Sequence, residues 1–179
     1  MEYMSEGDLK KQLDEVEVFN DKRAKFYAAE IALAVQFVHQ NGILHCDLKL
    51  ENVLVESDGH CKIADFGLSK LGMFRPCKAT AHCGTPLCME PEIVKNLPYD
   101  QGVDWWAVGM IFEMLTGNSP FDSDEEEVSG DASAEDNLYQ KIVNDEVGFP
   151  EDMTLAAVSI VTQTFDEGSK TATRVQRFI

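Results

Sequence analysis

The chain has no run approaching the ~20 consecutive apolar residues needed to cross a bilayer, so no membrane-spanning helix is expected. Its opening residues, Met1-Glu2-Tyr3-Met4, lack the basic start and apolar block of a secretory leader. Positive charge is scarce: 15 Lys and Arg stand against 32 Asp and Glu, a formal net charge of −17. That balance excludes nucleic-acid binding through a basic face. Cysteine is sparse and odd in number. Cys46, Cys61, Cys77, Cys83 and Cys88 show no zinc-knuckle spacing, so free thiols in a reducing compartment, the cytoplasm or the nucleus, are expected.

What is present fits one domain, since 179 residues with 44% hydrophobic content suffice for a core. Much of the negative charge is local. Asp122, Asp124, Glu125, Glu126, Glu127, Asp131, Glu135 and Asp136 follow one another with no Lys or Arg between them, a pattern expected of a solvated or disordered loop, with a docking site as the alternative. Residues 20 to 41 predict a helix, capped by Asn20 or Asp21, with Ala24, Tyr27, Ala28, Ile31, Ala34, Val35 and Val38 at helical spacing and Asn41-Gly42 at its end. Phe26, Leu33 and Phe37 fall off that stripe, so the helix is expected to be buried on more than one side. Val103 to Gly117 carries Trp105, Trp106, Val108, Met110, Ile111, Phe112, Met114 and Leu115 without a clean polar face, which predicts a central buried helix. Leu138 to Val143 and Leu155 to Val161 are shorter helical candidates. Val53-Leu54-Val55 and Cys61-Lys62-Ile63, around Ser57-Asp58-Gly59, predict a hairpin.

The chemistry concentrates just before and just after that hairpin. His45-Cys46-Asp47-Leu48-Lys49-Leu50-Glu51-Asn52 precedes it and Asp65-Phe66-Gly67 follows it. Phosphoryl transfer needs a carboxylate to receive the acceptor's proton, a cation near the moving group and oxygen ligands for magnesium. These residues can supply all three, and the hairpin would bring Asn52 and Asp65 together. Cys83-Gly84-Thr85-Pro86, Pro91-Glu92 and Asp104-Trp105-Trp106-Ala107-Val108-Gly109 follow in order.

Together these motifs resemble the C-terminal lobe of a eukaryotic protein kinase, and within it the AGC serine/threonine group, protein kinase C-like, from residue 1 to about 163. The resemblance implies a mainly α fold with short β-hairpins, a hinge at residues 1 to 8 and a divergent tail over 164 to 179. It implies ATP and Mg2+ as cofactors. Asp47 would be the base, Lys49 would face the phosphoryl group, Thr85 would bridge the two and favour Ser or Thr acceptors, and Asn52 and Asp65 would hold the metal. Glu2, Met4, Asp8, Glu51 and Leu54 would contact the nucleotide, with Leu54 as the floor under adenine. Glu92 and Asp104 would support the site. Asp8, Glu51 and Glu113 would hold basic residues of a protein substrate. A Gly-rich loop and strand lysine ordinarily precede the hinge, so Met1 is expected to be an internal residue of a longer kinase whose N-terminal β-rich lobe, or a partner, completes the ATP site.

Several departures accompany the likeness. Cys46 stands where arginine usually precedes the aspartate, and Ala81 where an activating threonine usually sits, two residues before Cys83. A phosphate there would normally pair with that arginine through ~1–3 charge-assisted hydrogen bonds. Thr80 can accept phosphate but Cys46 cannot serve as its cation. Cys88 replaces a tyrosine, and Glu90 replaces a small packed residue and would distort the substrate platform if buried and unpaired. Glu92 ordinarily pairs with an arginine, for which Arg174 is the nearest candidate at an unsuitable spacing. Drift toward a non-catalytic kinase-like scaffold or pseudokinase fragment is the alternative.

Overall fold

The computed structural model describes residues 4–74, 76–82, 84–121 and 134–167. Helix α1, Leu9–Val16, starts where the Asp8 side chain accepts the Lys11 N–H at 2.8 Å. Helix α2, Asp21–Gln40, starts the same way, with Asn20 accepting from Arg23 N at 3.0 Å. It ends at Gly42, where φ is 68° and a Cβ would lie 2.5 Å from the Phe74 ring. Only glycine meets both demands.

Strand β1, Ile43–Leu44, leads to the loop carrying Asp47, and the 3-10 turn Leu50–Asn52 leads out of it. Strands β2, Val53–Val55, and β3, Cys61–Ile63, pair as the expected antiparallel hairpin, Val53 opposite Ile63. The segment before α1 runs along the outer edge of β2, with Asp8 bridged to Leu54. The second sheet is not a hairpin: β1 pairs with the distant β4, Lys70–Leu71. This non-local pairing corrects the expectation of hairpins alone.

The remaining elements are helical: α3, Pro91–Val94; α4, Gly102–Ala107; α5, Met110–Thr116; α6, Ala134–Asn144; and α7, Leu155–Glu167. The expected helix over 103 to 117 is therefore two. Around Val108 and Gly109 the backbone tightens to i→i−3 bonds, Gly109 N to Trp106 O at 2.8 Å and Phe112 N to Gly109 O at 2.8 Å. Glycine is required at this break, since a Cβ on Gly109 would meet the Phe165 ring at 2.5 Å. Trp106, Val108, Met110, Ile111, Phe112 and Met114 are buried as expected.

One large core joins α1, α2, the hairpin, α5 and α7. Ala24, Tyr27, Ala28, Ile31 and Val35 of the expected α2 stripe lie in it, Val38 is buried outside it and Ala34 is half-buried, but Phe26, Leu33 and Phe37 are 43%, 47% and 68% exposed, so this helix is buried on one side only. An apolar residue off the stripe shows no more than composition; whether another element covers it is a tertiary matter. Residues 122–133 of the acidic run lie outside the described residues. Glu135 and Asp136, at its end, open α6 rather than a loop, in the first turn where acids suit the helix dipole. Among the described residues no helix is long and apolar enough to cross a membrane. Cys61, Cys77 and Cys88 form no disulfide among the described residues.

Candidate active site

The loop from Asp47 to Glu51 alternates polar and apolar residues, and its backbone is extended at Lys49 (φ −159°, ψ 166°). Extended chain sends successive side chains to opposite faces. Leu48 and Leu50, each 1% exposed, enter the main core, while Asp47, Lys49 and Glu51 turn the other way. Two buried leucines thus fix the height and spacing of the three polar groups.

Both carboxylate oxygens of Asp47 are engaged. Oδ1 accepts from the Thr85 hydroxyl at 2.7 Å and the Thr85 N–H at 3.0 Å; Oδ2 accepts from Asn52 Nδ2 at 3.2 Å and lies 3.3 Å from Lys49 Nζ. Lys49 also donates to Thr85 Oγ1 at 2.8 Å. Burial pushes the Asp47 carboxyl up, but the hydrogen bonds from Thr85 and Lys49 outweigh it and hold the group below the usual carboxylate range. Asp47 is ionised at neutral pH, and two of its partners, Lys49 and Thr85, lie 36 residues apart in the chain.

Asn52 is buried, and its amide nitrogen donates to the Asp47 carbonyl at 2.8 Å as well as to Oδ2. With the nitrogen so used, Oδ1 is left as an acceptor. Ala64 N donates to Asn52 O at 2.8 Å at the open end of the hairpin, so Asp65 follows directly after the residue bonded to Asn52. Asp65 is exposed, has φ 60° and accepts Gly67 N at 3.2 Å. Two oxygen donors with a solvent-facing side fit Mg2+, which retains waters and is completed by phosphate oxygens. Leu54 projects from the hairpin away from the core, half-buried, beside Asp8. Such an apolar face suits a flat ring. Met4 is half-buried at the start of the described chain, and Glu2 lies outside the described residues.

Asp104 anchors the loop from below. Its Oδ2 accepts His45 N at 2.8 Å and lies 2.8 Å from His39 Nε2, and its Oδ1 accepts Cys46 N at 2.9 Å. His45 was quoted in the motif without a role, and it has one. Its Nε2 lies 3.0 Å from the Ala64 carbonyl and its Nδ1 accepts Asp47 N at 3.3 Å, so a neutral ring with the proton on Nε2 joins the Asp47 loop to the Asp65 loop. The Phe66 ring packs edge-on against it at 4.7 Å. His39, at the last turn of α2, had no sequence signal at all.

Cys46 is buried in a second core with Leu44, Met73, Met89, Ile93, Tyr99 and Val103, and Lys70 Nζ lies 3.7 Å from its sulfur. Thr80 and Ala81 are exposed. Glu90 is 2% exposed and its Oε1 has no hydrogen-bond partner among the described residues, the unfavourable arrangement foreseen for it. Burial, then the charges of Glu92 and Asp100, push its carboxyl up to about 8. Glu92 lies in the first turn of α3, and Arg174 is outside the described residues. Of the acids expected to face a substrate, Glu51 and Glu113 line one cleft with Lys49 and Thr85, whereas Asp8 is not in its wall and caps α1. Glu113 is bound by Lys10 Nζ at 2.9 Å, a pairing the sequence gave no sign of.

Residues 1–175 match the protein kinase domain. The chain is 42% identical over 162 residues to protein kinase C epsilon type of Oryctolagus cuniculus and 43% over 162 to protein kinase C of Drosophila melanogaster, in each case over 90% of this chain and 21% of the relative. It is 42% identical over 168 residues to protein kinase C eta type of Homo sapiens, over 91% of this chain and 23% of that protein. The chain thus spans about a fifth of the length of the curated relatives it matches. With the match extending over nearly all of its residues, this chain belongs to the protein kinase domain family.

Proposed function

We propose that these residues form the transfer half of a serine/threonine protein kinase active site of the AGC, protein kinase C-like kind, moving the terminal phosphoryl group of ATP to a hydroxyl of a basic protein segment inside the cell. The observation that carries this reading is the closed network of Asp47, Thr85, Lys49 and Asn52, in which an ionised carboxylate is held by four donors. Asn52 Oδ1 and Asp65 would hold Mg2+; Leu54 and Met4, with Glu2, Asp8 and Glu51, would take the nucleotide. When bound, Mg2+ and ATP supply the electrophilic phosphoryl group and neutralise its oxygens.

The protein's own part is positioning and charge. Asp47 orients the acceptor hydroxyl and takes its proton. A carboxyl held below its usual range is a weak base, so it takes that proton late, once the hydroxyl oxygen is bonding to phosphorus and has become acidic. Lys49 carries its charge beside the moving group, and Thr85 fixes the distance between that charge and the base. Residues 1 to 8 serve as hinge. This sequence holds no Gly-rich loop followed by a strand lysine, and turnover therefore requires a second lobe in the parent protein or a partner.

A kinase-like scaffold without turnover is the second reading, favoured by the buried carboxyl of Glu90, whose Oε1 has no hydrogen-bond partner among the described residues. Transfer of labelled phosphate to basic serine and tyrosine peptides separates the two. The 179-residue chain alone should be silent, and a complete parent catalytic domain should label the serine peptide in a magnesium-dependent way that Asp65→Ala abolishes. Silence of the complete domain supports the scaffold.

A further inference from the structure

A cleft of about 190 Å³ is lined by Lys49 and Thr85, the partners of Asp47, together with Lys10, Glu51, Met110 and Glu113, and on the kinase reading it is the path of a segment that delivers a hydroxyl to Asp47. Two carboxylates therefore face it. Glu51 is exposed, at the start of the 3-10 turn, with no ion pair to a described residue. Glu113 differs, because Lys10 Nζ donates to its Oε1 at 2.9 Å. Lys10 is held there from its other side by Asp14, one turn further along α1, at 3.2 Å. The Glu113 hydrogen bond raises the Lys10 pKa, so the ammonium is charged throughout the physiological range.

Resting on the kinase reading above, we propose that Lys10 is a specificity-determining residue whose ammonium occupies, at Glu113, the place a basic side chain of the acceptor segment would take. The cleft then reads one basic residue, at Glu51, rather than two. A second arginine arriving at Glu113 must either displace Lys10 from two carboxylates or sit beside a like charge. A neutral side chain meets neither obstacle and finds an apolar wall in Met110 and Phe121.

The test is fluorescence anisotropy with the 179-residue chain and two labelled alanine-based serine peptides, one with a single arginine and one with two, at physiological salt. The quantity read is the ratio of their Kd values. Lys10→Met should raise the preference for the two-arginine peptide about two- to five-fold over the unmodified chain, the range expected of a partly exposed ion pair. Adding Glu113→Gln should return the ratio to its starting value, and Lys10→Arg, which keeps the pair, should leave it unchanged. Lys11→Met, an exposed position that makes the same change in net charge, should leave it unchanged as well. A ratio in Lys10→Met equal to that of Lys11→Met, or no binding of either peptide to any form, overturns the proposal. A shifted ratio in a protein whose complete catalytic domain transfers no phosphate would reject the kinase reading and leave the role of Lys10 standing.

Discussion

Asp104 Oδ1 accepts the backbone N–H of Cys46 at 2.9 Å, and Cys46 sits at φ 70° immediately before Asp47. A residue with a Cβ in the left-handed region costs on the order of 1–3 kcal/mol and persists only where its surroundings hold it. Here the same carboxylate also takes the preceding N–H, from His45. Two successive N–H groups pointing at one carboxylate define the turn that aims Asp47 outward. The loop's shape is thus set by a residue 58 positions away in the sequence.

Asp104→Asn should therefore disturb both stability and site. An amide retains one acceptor oxygen and turns its NH2 toward a backbone donor, leaving a buried N–H unsatisfied. Urea unfolding of the chain should show a loss of about 1–3 kcal/mol, and the complete catalytic domain should lose turnover. An unchanged midpoint would mean that the carboxylate does not hold the loop.

Glu90 predicts a pH dependence of definite sign. Its carboxyl keeps a proton up to about 8 in the fold and releases it near 4.5 when unfolded. Between those values the folded state binds more protons, so stability falls as pH rises from about 4.5 and levels off above about 8. The full span corresponds to roughly 3–5 kcal/mol. Glu90→Gln lacks this term: it should match the unmodified chain near pH 4.5 and exceed it in stability above pH 8. Parallel unfolding curves across that range would contradict the burial of an unpaired carboxyl.

Control by phosphate should be absent at the usual place. Ala81 has no hydroxyl, and Cys46 offers no cation to a phosphate on Thr80. Phosphatase treatment of an active parent should leave its turnover intact, and so should Thr80→Ala. A large loss on removing phosphate from residues 75 to 85 would implicate Thr80, with Lys70, close to the Cys46 sulfur, as the cation to examine.

The parts of the site held by short-range chemistry were legible in the sequence. The Val53–Ile63 hairpin follows from its strands and its Ser57-Asp58-Gly59 turn. Asp104 was expected to support the site, and its carboxylate accepts the His45 and Cys46 N–H groups of the Asp47 loop. What escaped notice depends on partners distant in the chain. Position 109 must be glycine because the Phe165 ring occupies the space a Cβ would need. The exposure of Phe26, Leu33 and Phe37 depends on what covers α2, which helical periodicity does not encode. His39 and Lys10 find their carboxylates 65 and 103 residues away. A side chain's identity shows that it can pair, but not with whom.

The central claim is that Asp47, held ionised by Thr85, Lys49 and Asn52, positions the acceptor hydroxyl and takes its proton. Asp47→Asn in the complete catalytic domain tests it most directly, because the substitution preserves shape while turning an NH2 toward donors that expect an oxygen. Steady-state transfer of labelled phosphate to a basic serine peptide at saturating ATP and magnesium should fall on the order of 10²–10³-fold. Turnover equal to that of the unmodified domain would contradict it.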